Sequence, residues 1–202
     1  INLAKKIEVT RRRFRRKVLE CDYALRAVFE TLKRVRDNEL PFDRTIKVSQ
    51  TENLEKEKIL ARMPHNLKTL EPLMELNVED FNRLVDDRTP EDERRELRRR
   101  IKVRRRKTVT LVEELSIRTQ KVQPLMKKME QISQRMCELR RQIDELRGVR
   151  SAKEDRANLE KELRELMLLT LEEPDSLAKR VESMLERFQE YEQSKRELSG
   201  GN

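Results

Sequence analysis

The sequence is short of most residues that carry chemistry. Among 202 residues there is one histidine, no tryptophan, two cysteines and three glycines, and aromatic residues make up 3%. His65 has no second histidine with which to build a metal site or a catalytic pair, so a surface or helix-capping role is expected for it. Cys21 and Cys137 stand alone, outside any metal or redox spacing, and are expected to be packed thiols of a reduced, intracellular and cytoplasmic setting. Met126, Met129 and Met136 are expected to fill a helical seam rather than to ligate. No glycine-rich loop suited to cradling phosphate is present. No run of about eighteen apolar residues exists, so no membrane span is expected. The N-terminal stretch has no apolar signal-peptide core. These absences leave no catalytic residue, metal ligand or cofactor site to nominate, and the chain is not expected to be an enzyme.

What the chain has in surplus is charge. Charged residues make up 43% and hydrophobic residues only 35%, which argues against a single spherical core. Disorder is disfavoured because Leu, Ile, Val and Met recur with a helical period and because proline and glycine are scarce. The expected fold class is all-α: an elongated helical bundle with a protruding antiparallel coiled-coil hairpin.

The elements follow from period and punctuation. Leu3, Ile7, Phe14, Val18, Cys21, Leu25, Val28, Leu32 and Val35 share one face and predict a long helix over 2–37. Pro41 to Val48 is expected to be irregular or extended. Ser49 with Glu52 has the form of a capping box. The middle third then predicts a cluster of short helices, with Pro64 in a first turn, Pro72 as a kink, and Asn77 as a cap. Thr89-Pro90-Glu91-Asp92 combines a capping hydroxyl, a first-turn proline and acids at the positive end of the dipole.

From Leu111 to Leu146 apolar residues alternate spacings of four and three, the coiled-coil pattern, with Arg118 as the one break. Pro124 is expected to kink or divide this helix. Gly148 suits a C-cap and Ser151 with Glu154 another capping box. The short turn predicts antiparallel neighbours, with Leu139 near Leu159 and Ile132 near Leu166. The expected organisation is a long helix with a short-helix cluster over 1–89, a hairpin over 90–172, and a return helix over 173–202 packing on the first.

Charge is also unevenly placed. Residues 1–36 hold 12 basic and 4 acidic side chains, and residues 94–107 hold 10 basic and 1 acidic. The whole chain is only +9, so the remainder is acidic. The first block offers Lys5, Lys6, Arg11, Arg12, Arg13, Arg15 and Arg16 as candidate nucleic-acid contacts. The second offers Arg98, Arg99, Arg100, Arg104, Arg105 and Arg106 as candidate partner or phosphate contacts. The alternative for both is a helix face whose charges are solvated or paired with acids elsewhere in the fold.

The two ends of the chain resemble a known family. Ile1-Asn2-Leu3-Ala4-Lys5-Lys6-Ile7-Glu8 resembles a helix of the bacterial primary sigma factors, which follows the segment touching promoter DNA below the minus-ten element. Leu198-Ser199-Gly200-Gly201-Asn202 resembles the start of that family's next core block. The family carries a variable, mostly helical insertion between these landmarks, and their order and separation here match a long version of it. The resemblance implies a piece of a longer transcription initiation factor that brings RNA polymerase core to promoter DNA. It implies that the first and last helices pack together, that the Lys5 to Arg16 face lies near DNA or the polymerase cleft, and that the residues reading the promoter lie outside this sequence. As a fragment it is expected to be a monomer. The alternatives are a self-associating coiled-coil scaffold and a non-specific basic helical module that binds nucleic acid.

Overall fold

A computed structural model describes residues 2–48 and 53–200, with the side chain of Asn53 excepted. The chain is all-α. Among the described residues eight α-helices follow one another: α1 (Leu3–Leu19), α2 (Asp22–Arg36), α3 (Phe42–Thr45), α4 (Asn53–Leu84), α5 (Glu91–Glu113), α6 (Thr119–Glu145), α7 (Lys153–Thr170) and α8 (Pro174–Gly200). Among the described residues no helix is long and apolar enough to cross a membrane. The chain divides into two compact units, one of residues 1–17 with 124–202 and the other of residues 18–123. These units differ from the expected division at 89 and 172, because α5 belongs with α2 and α4.

The helix expected over 2–37 is interrupted at Glu20 and Cys21. Cys21 takes an extended backbone, and its N–H reaches back to the Val18 carbonyl at 3.1 Å. The apolar period runs across the break undisturbed, so periodicity carries no sign of it. The break sets Asp22 in the first turn of α2, where a carboxylate meets the positive end of the helix dipole.

In the unit of residues 18–123, α2, α4 and α5 pack on one another. Leu25, Val28 and Leu32 from α2, Met63, Leu67 and Leu70 from α4, and Leu97 and Ile101 from α5 are buried. The cluster of short helices expected in the middle is instead the single 32-residue α4, with Pro64 and Pro72 inside it. Both prolines are exposed. Each removes one backbone donor and crowds the preceding turn, yet the helix stays continuous, with Met63, Leu67, Leu70 and Met74 buried along it. Asn77, expected as a cap, is fully buried inside α4. The capping box expected at Ser49 and Glu52 lies outside the described residues.

The long helix expected from 90 is divided at 114–118, not at Pro124. Ser116 adopts a left-handed backbone with φ 54°, as Asn38 does at 62°. Ile117 forms an isolated antiparallel bridge with Ile46. The Lys47 N–H donates to the Ser116 carbonyl at 2.8 Å, and the Arg118 N–H to the Thr45 carbonyl at 2.8 Å. The Arg118 guanidinium donates to the Asp43 carbonyl at 3.0 and 2.6 Å. Arg118 breaks the apolar repeat because its side chain ties down this crossover. Pro124 sits near the start of α6 and interrupts nothing.

In the unit of residues 1–17 and 124–202, α6 buries Met129, Met136 and Leu139. A turn with Gly148 at φ 81° leads out of α6. Ser151 falls within a short 3-10 turn over Arg150–Ala152, and Ala152 precedes α7, so the expected capping box does not form. Arg135 of α6 donates to Glu162 of α7 at 2.7 and 3.1 Å. Leu171 closes α7 in a left-handed conformation. The next residue, Glu172, is buried and accepts from Arg180 of α8 at 2.7 Å.

Thr89 departs from its expected role in the same way. Its hydroxyl donates to the Arg83 carbonyl at 2.6 Å instead of capping α5. Glu91, Asp92 and Glu93 do occupy the first turn of that helix.

Candidate nucleic-acid interface

The first basic block lies on α1, and its apolar side sets which cations face solvent. Ile7, Thr10 and Phe14 are buried, and Phe14 meets two rings of α8, Phe188 at 5.2 Å and Tyr191 at 6.2 Å between centroids. The Thr10 hydroxyl lies 3.2 Å from that of Ser194. Lys6 donates to Glu197 at 2.9 Å, and Arg13 approaches Glu190 at 4.0 Å. These partners ascend along α1 while they descend along α8, so the two helices pack antiparallel.

The candidate cations of α1 consequently differ from one another. Arg11 pairs with Glu8 and lies 5.8 Å from the Tyr191 ring centre. Burial works against its charge, but hydrogen bonding to Tyr191 and the Glu8 carboxylate outweigh it and raise its pKa. Lys6 holds the Glu197 carboxyl below its usual range. Arg15 is only 7% exposed and is withdrawn from the surface. Lys5, Arg12, Arg13 and Arg16 are exposed. Lys5 and Arg12 have no acidic partner among the described residues.

The second block lies on α5 and is split by the helix period. Arg100 and Arg104 both reach Asp80 of α4, Arg100 at 3.2 Å. Arg105 donates to Asp22 of α2 at 2.8 Å. Asp22 also accepts from Asn77 of α4 at 3.1 Å, and Asn77 in turn accepts from Arg104 at 3.3 Å. Three candidate arginines of this block are thus engaged in a polar network linking α2, α4 and α5. Arg98 pairs with Glu91 at 3.3 Å and Arg99 with Glu96 at 2.6 Å, both in exposed positions. Arg106 is exposed.

Sequence reasoning did not single out Asp22 and Asp80, the acids that neutralise the inward arginines. Nor did it single out Arg95, which is exposed on α5. The signal for Arg95 was present in its helical phase relative to buried Leu97 and Ile101.

The residues set aside for other chemistry are placed as follows. His65 is exposed, Cys21 is buried and Cys137 is half-buried, and both thiols are free. Among the described residues no group of histidine, cysteine and carboxylate side chains is arranged to hold a metal ion. No protein-family model and no curated protein matches the chain.

Proposed function

We propose that this chain is the helical, insertion-bearing part of a transcription initiation factor of the bacterial primary sigma type, and that it acts as a scaffold within a factor that directs RNA polymerase to promoters. The observation that carries this reading is the antiparallel pairing of α1 with α8. The residues resembling the sigma core lie at the two extremes of the sequence, yet Lys6 and Glu197 stand 2.9 Å apart. An insertion within a folded core requires this: its two ends must return to the same place, so that the core closes whatever lies between. Phe14 packed on Phe188 and Tyr191 supplies the apolar part of that closure.

On this reading the exposed cations of α1, Lys5, Arg12, Arg13 and Arg16, face DNA or the polymerase cleft. The helices α6 and α7 form the antiparallel hairpin of the insertion and offer a surface to polymerase. Promoter sequence is read by residues outside this chain. The setting is the bacterial cytoplasm, and the chain contributes no catalytic group.

The test is reconstitution. The factor containing this chain, mixed with core RNA polymerase, is expected to direct run-off transcription from a housekeeping promoter. Residues 1–202 alone are expected to show no promoter-sequence preference in a mobility-shift assay. A factor that neither binds core polymerase nor supports initiation would sink the reading, as would sequence-specific promoter binding by residues 1–202 alone.

A further inference from the structure

We infer that Arg95, Arg99, Lys102 and Arg106, on the outward face of α5, form a binding stripe for the phosphodiester backbone of nucleic acid. The inference does not rest on the sigma reading. It starts from the helical phase of α5. Leu97, Ile101, Thr108 and Val112 are buried and define the inward side. Arg104 and Arg105 flank that side and are consumed by Asp80 and Asp22. The four stripe residues recur at steps of four, three and four, which places them together on the opposite side. All four are exposed.

Acids neutralise little of this stripe. Arg99 has Glu96 at 2.6 Å. Arg95, Lys102 and Arg106 have no acidic partner among the described residues. The acids at the start of the helix are turned elsewhere, Glu91 to Arg98 and Glu93 to Arg83. Like charges at these spacings repel along the helix, and among the described residues only Glu96, beside Arg99, offsets them. A polyanion offsets the rest. At 1.5 Å per residue the stripe is about 16 Å long, a straight row that follows several successive phosphates of one strand. Flexible lysine and arginine stems let each head group settle on a phosphate oxygen, and guanidinium takes it with two donors. Phosphate contacts carry no sequence information, so binding through this row is independent of sequence.

The experiment measures affinity of the whole chain for a short random-sequence DNA duplex, and for the RNA duplex of the same sequence, between about 50 and 200 mM salt. Anionic lipid vesicles form a third arm. The variant Arg95→Gln/Arg99→Gln/Lys102→Gln/Arg106→Gln is expected to bind a duplex at least tenfold more weakly at the lowest salt. Its log–log salt slope is expected to be shallower by about 3, because each lost phosphate contact removes about 0.9. A control with the same charge change at the scattered surface residues Lys47, Lys58, Lys68 and Lys127 is expected to lose much less of both. The charge-preserving variant Arg95→Lys/Arg99→Lys/Arg106→Lys is expected to keep the slope. The stripe is overturned if the quadruple variant behaves like the scattered control. It is also overturned if the wild-type chain binds vesicles but neither duplex, or if the charge-preserving variant loses the slope.

Discussion

The Arg105 guanidinium donates to the Asp22 carboxylate at 2.8 Å, with the two side chains only 12% and 7% exposed. Asn77 completes the arrangement from α4. Helices α2, α4 and α5 thus each contribute one polar group to a nearly dry contact. Removing one member strands the other charge, whereas replacing the pair by apolar groups removes both desolvation costs at once. Asp22→Ala is therefore expected to destabilise the unit of residues 18–123 by about 3 kcal/mol. Asp22→Ala combined with Arg105→Met is expected to recover most of that loss. Urea titration followed by circular dichroism reads both. A double variant as unstable as Asp22→Ala would show that the pair is not energetically coupled.

A second prediction concerns the pairing of α1 with α8. Phe14 is fully buried against Phe188 and Tyr191. Phe14→Ala is expected to cost about 3 to 5 kcal/mol, the usual range for emptying an aromatic site. Lys6→Gln removes an exposed ion pair to Glu197 and is expected to cost less than about 1 kcal/mol. Thermal melts of the two variants should therefore separate widely. Equal melts would mean that the apolar contact does not hold these helices together.

The helical class was legible because a helix announces itself through period, and the period here is strong. The interruptions were legible only where a side chain broke that period. Arg118 stood out as the one break in the apolar row, although the division was expected at Pro124; a charged residue in such a row needs a partner, and it finds the Asp43 carbonyl. The break at Glu20 and Cys21 left no such mark, since Val18, Cys21 and Leu25 continue the same face. The prolines misled in the other direction. Local rules make Pro64 and Pro72 boundaries, but the burial of Leu67, Leu70 and Met74 outweighs the two lost donors. For the basic blocks, composition located the charge but not its direction. Arg104 and Arg106 are equivalent in a count, yet one pairs with Asp80 and the other faces solvent. Which way each points depends on α2 and α4, elements distant in sequence.

The continuity of α4 is itself testable. Proline inside a helix costs about 3 kcal/mol relative to alanine, and part of that is offset because proline also restricts the unfolded chain. Pro72 is exposed, so alanine there loses no buried contact. Pro72→Ala is expected to stabilise the protein by about 1 to 2 kcal/mol and to raise its melting temperature. If Pro72 instead marked a helix boundary, the substitution would be neutral or destabilising.

Acid should weaken the fold from one definite side. Glu93 beside Arg83, Glu96 beside Arg99, Glu197 beside Lys6 and Asp86 beside Arg88 all have their pKa lowered, each chiefly by a hydrogen bond from that cation. A carboxyl whose folded pKa is depressed binds its proton more readily when unfolded. Its contribution is thus complete above the ordinary pKa and is lost as pH falls from there through the folded value. The ordinary values are 4.5 for glutamate and 3.8 for aspartate. The melting temperature is expected to be flat from neutrality down to about pH 5 and then to fall continuously. Since these groups are all at least partly exposed, salt should flatten the acid limb. Glu93→Gln should remove part of the pH dependence while leaving the neutral-pH melt nearly unchanged. An acid limb that begins near neutrality would show that these carboxylates do not carry the loss.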